Sequence, residues 1–194
     1  MGRKLPKVLT TEEQERFLAV FNTRYPAPHR DLCMIRLMLE AGLRAGEVVA
    51  LKPEHLDMMT CRLMVRNGKG AKDRTLWIGD NLRDLIGEWI QRRPESAYLF
   101  PSRTGKKLDT SHLRYMVARR AEAASISEAE QVSPHTFRHT FATDLYRETK
   151  NIRLVQKALG HADLSTTMIY THIVDDELED AMRCYRDWMR ARSN

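Results

Sequence analysis

Cysteine is scarce in this 194-residue chain, and the cysteines that are present form no recognisable set. Cys33, Cys61 and Cys184 lie far apart, are odd in number and include no CxxC pair. This pattern argues against a disulfide framework and against a zinc cluster, and it favours a reducing compartment.

Long apolar runs are missing as well. No stretch approaches the roughly 20 apolar residues that a helix needs to span a bilayer, and the start MGRKLPK lacks the apolar segment of a secretory signal. We therefore expect a soluble, cytoplasmic protein with no membrane partner. Internal repeats and low-complexity tracts are also absent, so the length indicates one domain, or one domain with an appendage.

Positive charge is in moderate excess. The chain has 32 Lys and Arg against 26 Asp and Glu, a formal net charge of +6. A basic balance of this kind is typical of proteins that bind polyanions such as nucleic acid, although charge alone leaves other partners open.

The pattern of apolar residues predicts a mostly α (α+β) fold, in which a small antiparallel β-sheet is inserted after the first three helices. Thr10 and Glu13 form a capping box for the first helix, and CRLMVR and RTLWI predict two strands joined by a hairpin at NGKGAKD. Further helices are predicted at about 29–41, 43–51, 81–92, 110–123, 134–147, 152–159 and 176–190. Residues 1–7 are expected to form a basic linker or arm, and residues 8–194 one domain.

Three stretches differ from ordinary core or surface sequence: AGLRAGEV around Arg44, NGKGAKDR around Lys69, and SPHTFRHTFAT with His135 and Arg138. His135 and Arg138 are three residues apart on a predicted helix, so their side chains should share one face. Each stretch alone is also compatible with a structural role, as a solvated polar face, a charge at a helix end or a turn lysine. His135 and His139 lack the accompanying carboxylate of a zinc-binding HExxH motif, so no metal site is expected.

Together these residues indicate chemistry at a phosphate. Two arginines and a histidine around one hydroxyl would bind a phosphate that gains negative charge as it is attacked. Tyr170, in LGHADLSTTMIYTHI, is the expected nucleophile, because its phenolate is a moderate leaving group and the covalent bond can be reversed. Lys69 would protonate the departing deoxyribose oxygen, and His135 would help to move the tyrosine proton. Since side chains supply the charge, no cofactor is expected.

In this order, the stretches resemble the catalytic domain of the tyrosine recombinases, also called the phage integrase family, over nearly the whole chain. Glu47 resembles the acid that supports the first family arginine. The positions that match the family's catalytic residues are Arg44, Lys69, His135, Arg138, His161 and Tyr170.

The resemblance implies a site-specific DNA recombinase or integrase of the kind found in mobile elements. Tyr170 would form a 3′-phosphotyrosyl link and release a 5′-hydroxyl, and a 5′-hydroxyl of the partner duplex would reverse the step without ATP or metal. His161 would donate to the scissile phosphate, and Ser165 would cap the helix that carries Tyr170. Two alternatives stay open: a non-catalytic DNA-binding regulator, and a nicking-closing, topoisomerase-like enzyme on the same fold.

Double-stranded DNA is the expected partner. Family members usually carry an amino-terminal core-binding domain, which we expect to be absent here, so weaker DNA affinity is expected. The last helix, at 175–194, has one apolar face and is expected to contact a neighbouring protomer in a homo-oligomer, a tetramer on DNA, while a monomer in free solution remains compatible. The candidates for contacts to the DNA backbone, for which surface solvation is nearly as compatible, are Lys72, Arg74, Arg114, Arg119 and Arg120.

Overall fold

The computed structural model describes residues 7–66, 73–160, 182–186, 188–190 and 192. The chain divides into two compact units, residues 1–160 and residues 161–194. In the first unit helices predominate, and a three-stranded antiparallel sheet follows the first three helices. The predicted mostly α fold with an inserted sheet is therefore confirmed.

The helices of the first unit, as far as it is described, begin and end close to the residues that the sequence indicates. Thr10 Oγ1 accepts from the backbone N–H of Glu13, and the Glu13 carboxylate accepts from the N–H of Thr10, which is the predicted capping box. The second helix begins at Pro26, ahead of the predicted start, because proline fits the first helical turn, where its missing N–H costs no hydrogen bond. The helices are α1 (Thr11–Ala19), α2 (Pro26–Ala41), α3 (Ala45–Ala50), α4 (Asp80–Arg92), α5 (Thr110–Ala123), α6 (Pro134–Thr149) and α7 (Ile152–Leu159).

The sheet has the order β1 (Leu56–Asp57), β2 (Arg62–Val65) and β3 (Arg74–Trp77), with antiparallel neighbours. Strands β2 and β3 are the predicted pair, whereas β1 has only two residues, too few for a periodic signal. In both long strands alternate residues are buried, so Leu63 pairs with Leu76 on the inner face. The predicted hairpin tip between β2 and β3 includes residues 67–72, which lie outside the described part of the chain.

Helix α2 is the centre of the core, with Met34, Leu37 and Met38 fully buried, and it packs against both α4 and α6. Phe17 of α1 contacts Phe137 of α6, with ring centroids 4.9 Å apart. This packing matters for the site because it fixes the end of α2 relative to the first turns of α6.

The described residues of the second unit, 182–186, 188–190 and 192, are helical. Large apolar side chains are exposed there, the Tyr185 and Trp188 rings stack with centroids 5.8 Å apart, and the Arg192 guanidinium lies 4.7 Å from the Trp188 centroid. The predicted start of this helix at residue 176 falls outside the described residues. In the part of the chain that the structure describes, no helix is both long and apolar enough to cross a membrane.

Candidate active site

Glu47, on α3, is bonded by two arginines that the sequence separates. Arg74 of β3 donates from both terminal nitrogens, one to each Glu47 oxygen, at 2.8 Å. Arg44 donates to the same carboxylate from its backbone N–H, at 2.8 Å to Oε2, and from Nη1, at 3.0 Å to Oε1. The predicted support of Arg44 by Glu47 is thus present as a geometry, and Arg74 is an additional partner.

Arg44 lies between two helices, directly before α3, where it is the N-cap residue with extended backbone angles. The preceding helix ends because Gly42 adopts a left-handed conformation, with φ 64°. The Arg44 side chain remains 39% exposed, whereas that of Glu47 is 9% exposed. Part of the Arg44 guanidinium is therefore held by the protein, and part of it faces solvent.

Arg138, on α6, also lies near the Glu47 carboxylate. Its Nη1 lies 4.0 Å from Glu47 Oε2 and also donates to the carbonyl of Gly42, while Nη2 donates to the carbonyl of Leu159 at 2.7 Å. Its side chain is only 8% exposed. The two side chains that are predicted to share one face of α6 therefore differ in exposure: Arg138 is bonded to two backbone carbonyls and buried, whereas His135 is exposed.

The charges in this cluster do not cancel. Burial alone would raise the pKa of Glu47, but the hydrogen bonds from Arg74 and Arg44, together with the charges of Arg74 and Arg138, hold it at about 2. Glu47 is therefore an anion at any physiological pH. Three guanidinium groups around one carboxylate leave a local excess of two positive charges, which is a favourable environment for a phosphate.

An open cleft of about 440 Å³ lies beside the cluster. Arg44 and Glu47 line one wall of the cleft, and His135 lines another at the start of α6. The first turns of α5 and α6 both reach this cleft, through Thr110 and through Ser133 and Pro134, so the positive ends of two helix dipoles add to the arginine charges. The cleft therefore combines a guanidinium, an imidazole and two helix starts, which suits a tetrahedral anion.

His139 lies one turn after His135 on α6 and is half-buried. Its pKa is lowered below the ordinary value, chiefly by burial and further by the neighbouring His135 and Arg138, which favours the neutral form of the ring. Among the described residues, no group of three or more His, Cys, Asp or Glu side chains could hold a metal ion.

Three of the six predicted catalytic residues, Lys69, His161 and Tyr170, lie outside the described residues. The chain on either side of them is partly described. Arg74, the first residue of β3, follows Lys69 in the chain. Leu159 and Gly160 come just before His161; Leu159 accepts a hydrogen bond from Arg138, and Gly160 packs against Arg74. The arginine cluster around Glu47 is thus bonded to the end of α7, which precedes His161 and Tyr170, and it includes the first residue of β3, which follows Lys69.

The predicted DNA contacts are placed differently from one another. Arg114 lines the cleft beside Arg44, whereas Arg119 and Arg120, further along α5, line a separate hollow of about 380 Å³. Arg119 donates to the Tyr115 hydroxyl, and Arg120 donates to the Val20 carbonyl and lies over the Phe21 ring. Lys72 lies outside the described residues.

Arg74 takes a role other than the one expected from the sequence. Its side chain is 7% exposed, and its nitrogens donate to Glu47 and, through Nε, to the carbonyl of Ala158. Its guanidinium is therefore buried and bonded within the protein in this structure. Its position on β3 indicates that the side chain is buried, because Arg74 pairs with the buried Val65 and alternates with the exposed Thr75.

One basic residue of the cleft is absent from the predicted set. Arg66 follows β2 directly, is exposed and lines the cleft with Arg44 and Arg114. The sequence offers a weak signal for it, since Arg66 is the last basic residue before the glycine-rich hairpin tip. The cleft thus has three arginines on its wall, and two more arginines, Arg74 and Arg138, lie buried behind it.

The phage integrase family matches residues 7–177. The tyrosine recombinase XerA of Thermococcus kodakarensis is 40% identical over 183 residues, which cover 92% of this chain and 62% of XerA. The tyrosine recombinase XerD of Pseudomonas aeruginosa is 36% identical over 188 residues, which cover 93% of this chain and 62% of XerD.

A similar fold occurs in a solved DNA complex. The site-specific recombinase XerH, in a post-cleavage complex with its palindromic difH substrate, matches with a TM-score of 0.80 and 31% identity. The match covers 94% of this chain and 54% of XerH. This chain therefore spans about three fifths of the length of the two curated relatives, and all three matches place its similarity in one part of a longer recombinase.

Proposed function

Because the chain belongs to the phage integrase family, we propose that it cleaves and rejoins DNA as the catalytic part of a site-specific tyrosine recombinase. The observation that carries the proposal is the convergence of Arg44, Arg74 and Arg138 on Glu47 beside a cleft that His135 also lines. Charge of this sign is needed where a phosphodiester becomes more negative during attack.

In the proposed reaction, the phenolic oxygen of Tyr170 attacks the phosphorus, a new P–O bond forms and the bond to the 5′ oxygen breaks. The tyrosine proton leaves with the help of His135, and Lys69 gives a proton to the departing 5′ oxygen. Arg44 and Arg138 neutralise the non-bridging oxygens, and His161 adds a further donor. The phosphodiester is exchanged for a phosphotyrosyl ester of similar energy, so a 5′-hydroxyl reverses the step without consuming a nucleotide.

The exposure of Arg44 and the burial of Arg138 support different roles for the two arginines in binding the phosphate. Arg44 has free access to the cleft and would contact the phosphate directly. Arg138 is bonded to the Gly42 and Leu159 carbonyls, and it would reach a bound phosphate by exchanging one of these bonds for a stronger, charge-assisted one.

The proposed partner is double-stranded DNA, which the cleft would contact at one scissile phosphate while Arg66 and Arg114 contact the backbone beside it. Assembly into a homotetramer on DNA through the C-terminal segment is part of the proposal. Four large apolar side chains in the described part of this segment are about half exposed, as expected for a surface that another protomer covers: Met182, Tyr185, Trp188 and Met189. If deletion of the residues after Asp175 left assembly on DNA unchanged, this part of the proposal would fail.

The test of the activity is covalent trapping. The protein is incubated with nicked duplexes of randomised sequence, so that the short cleaved strand diffuses away, and protein–DNA adducts are isolated on a denaturing gel and sequenced. Tyr170→Phe should abolish the adduct, whereas Tyr115→Phe, at a tyrosine that is 64% exposed on α5, should leave it unchanged.

Each other outcome selects an alternative. Non-covalent binding without an adduct from the unaltered chain would mean either that a further domain or partner is required for the chemistry or that the chain is a DNA-binding regulator. An adduct that survives in Tyr170→Phe would assign the nucleophile to another residue. Relaxation of supercoiled DNA without joining of separate duplexes would favour a nicking-closing enzyme.

A further inference from the structure

Arg74 joins three parts of the chain through one guanidinium group. It lies on β3, it binds Glu47 of α3 in a bidentate pair, and its Nε donates to the carbonyl of Ala158 near the end of α7, at 2.9 Å. Lysine could not make this arrangement, because a bidentate pair and a third, separate bond need the planar fork of arginine.

The bonds of Glu47 show what this arrangement does to Arg44. Glu47 Oε1 accepts from both Arg74 Nη1 and Arg44 Nη1, and Oε2 accepts from both Arg74 Nη2 and the Arg44 backbone N–H. Arg74 therefore holds both carboxylate oxygens and, together with the Arg44 backbone N–H, fixes the carboxylate plane on which the orientation of the Arg44 guanidinium depends. Without Arg74 the carboxylate could rotate, and Arg44 would lose its fixed direction into the cleft.

The end of α7 bears on the same guanidinium. Gly160, with φ 64°, terminates α7 and packs directly on Arg74: a β-carbon at this position would lie 2.9 Å from Arg74 Cδ and 3.2 Å from Nη1. Glycine is required here for its backbone conformation and for this close approach. The position of α7 and the direction of Arg44 are thus linked through Arg74.

We propose that Arg74 is a positioning residue for DNA cleavage: it orients Arg44 through Glu47, and it makes that orientation depend on the docking of the end of α7. This inference rests on the proposed recombinase function. Arg74 itself does not touch the DNA, since its side chain is buried and its donors are already used within the protein.

The test compares Arg74→Lys with Arg44→Ala and with Arg30→Lys. Arg30 is a matched control, because it is also buried, donates twice to an adjacent carboxylate, Asp31, and once to the Pro101 carbonyl, yet it does not line the cleft. Single-turnover adduct formation is measured on the trapped DNA site with an ordinary scissile phosphate. The same rate is measured on a methylphosphonate, in which a methyl group replaces one non-bridging oxygen and removes the negative charge.

If Arg74 acts through Arg44, its effect should depend on the phosphate charge. Arg74→Lys should lower the rate on the phosphate by about 100-fold, the cost of a displaced catalytic group, and by much less on the methylphosphonate, in parallel with Arg44→Ala. Arg30→Lys should show the same ratio to the unaltered protein on both substrates. An equal deficit of Arg74→Lys on both substrates, or no deficit, would overturn the proposal.

Two further measurements keep the outcome decisive. Crystal structures of the unaltered chain and of Arg74→Lys test the positional part without any activity: a displaced Arg44 guanidinium supports it, and an unchanged Arg44–Glu47 contact overturns it. No adduct from the unaltered chain would defeat the proposed function but leave this structural comparison valid.

Arg74→Gln, which keeps one donor beside Glu47, is the second variant. If neither Arg74→Lys nor Arg74→Gln folded, Arg74 would be assigned to stability alone and the proposal would be overturned.

Discussion

Arg138 donates a hydrogen bond to the carbonyl of Gly42, so a side chain of α6 closes the C-terminal end of α2. The bond joins an arginine to the residue that turns the chain towards Arg44. The last turn of a helix leaves carbonyl oxygens without partners, and a cation is favoured there by the helix dipole. The arginine that we propose to bind phosphate is therefore also a structural cap.

Arg44→Ala and Arg138→Ala should separate catalysis from stability. Both should lower adduct formation roughly 100- to 1000-fold, the cost of removing one donor to a developing negative charge. Arg138→Ala should also lower the free energy of unfolding by about 1 to 3 kcal/mol, because it leaves the carbonyls of Gly42 and Leu159 without their buried donor. Arg44→Ala should change stability less, since its side chain is 39% exposed and Glu47 keeps its pair with Arg74. Urea unfolding and single-turnover cleavage check the pair, and equal stability losses would contradict the assignment.

The ionisation of Glu47 should appear in the stability of the protein in acid. Its pKa in the folded protein, about 2, lies below the ordinary value of 4.5. The stabilisation is thus fully present above about pH 4.5 and is lost as the pH falls towards 2. Glu47→Gln should lower the free energy of unfolding at pH 7 by about 3 to 5 kcal/mol and flatten its acid dependence.

The control for this prediction is Glu40→Gln, at an exposed residue that pairs with Arg36 one turn away on α2. It should cost less than about 1 kcal/mol. Part of the acid dependence should survive in Glu47→Gln, because the pKa of Glu13 is also held at about 2; burial opposes this shift, and hydrogen bonds from Ser127, Thr10 and Lys7 cause it. Denaturant titrations between pH 2 and pH 7 measure both contributions. An unchanged acid profile in Glu47→Gln would contradict the assignment.

Gly42→Ala should destabilise the fold by more than about 1 kcal/mol, because alanine is strained at this positive φ. The added β-carbon would also lie 2.4 Å from Cδ1 of Phe141. Gly46→Ala, inside α3 with no atom within 4 Å of the added carbon, should instead be neutral or stabilise by up to about 1 kcal/mol. Thermal unfolding of the two variants compares them, and a stable Gly42→Ala would mean that the α2–α3 turn is not needed in this conformation.

Arg114 should contact the DNA backbone, since it lines the cleft beside Arg44. Arg114→Ala should weaken DNA binding for all sequences and reduce the slope of log K against log salt by about 0.9. Arg16→Ala, at an exposed arginine of α1 away from the cleft, should leave the slope unchanged. Arg119→Ala probes the separate hollow, and a reduced slope there would extend the DNA footprint along α5. Fluorescence anisotropy across a salt series gives the slopes.

The fold was largely predictable because its elements carry strong local signals. The capping box at Thr10 marks the start of α1, and glycines that can adopt a left-handed conformation mark the ends of α2 and α7. The alternation of buried and exposed residues marks β2 and β3. Strand β1 and the early start of α2 were not predicted. Strand β1 has only two residues, too few for a periodic pattern. The start of α2 is at Pro26, and proline is as common in loops as in the first turn of a helix.

The site was predictable in residue type but not in burial. Motif spacing identified Arg44, Glu47, His135 and Arg138, but no periodic signal distinguishes an arginine that faces a cleft from one that faces a carboxylate. Arg74 illustrates the difference, since its partner Glu47 lies on another element and becomes a neighbour only when the sheet packs on α3. Long-range pairs of this kind arise from the fold, so the sequence alone did not indicate the pairing of Arg74 with Glu47.

One carboxylate that serves three arginines also constrains how this protein can diverge. A change at Glu47 would leave buried guanidinium groups without a counter-charge, and a change at Arg74 would release the carboxylate. Neither residue can drift alone at low cost, so descendants of this sequence should keep or replace the pair together. Correlated substitution at positions 47 and 74, rather than conservation of either one, would be the evolutionary record of this contact.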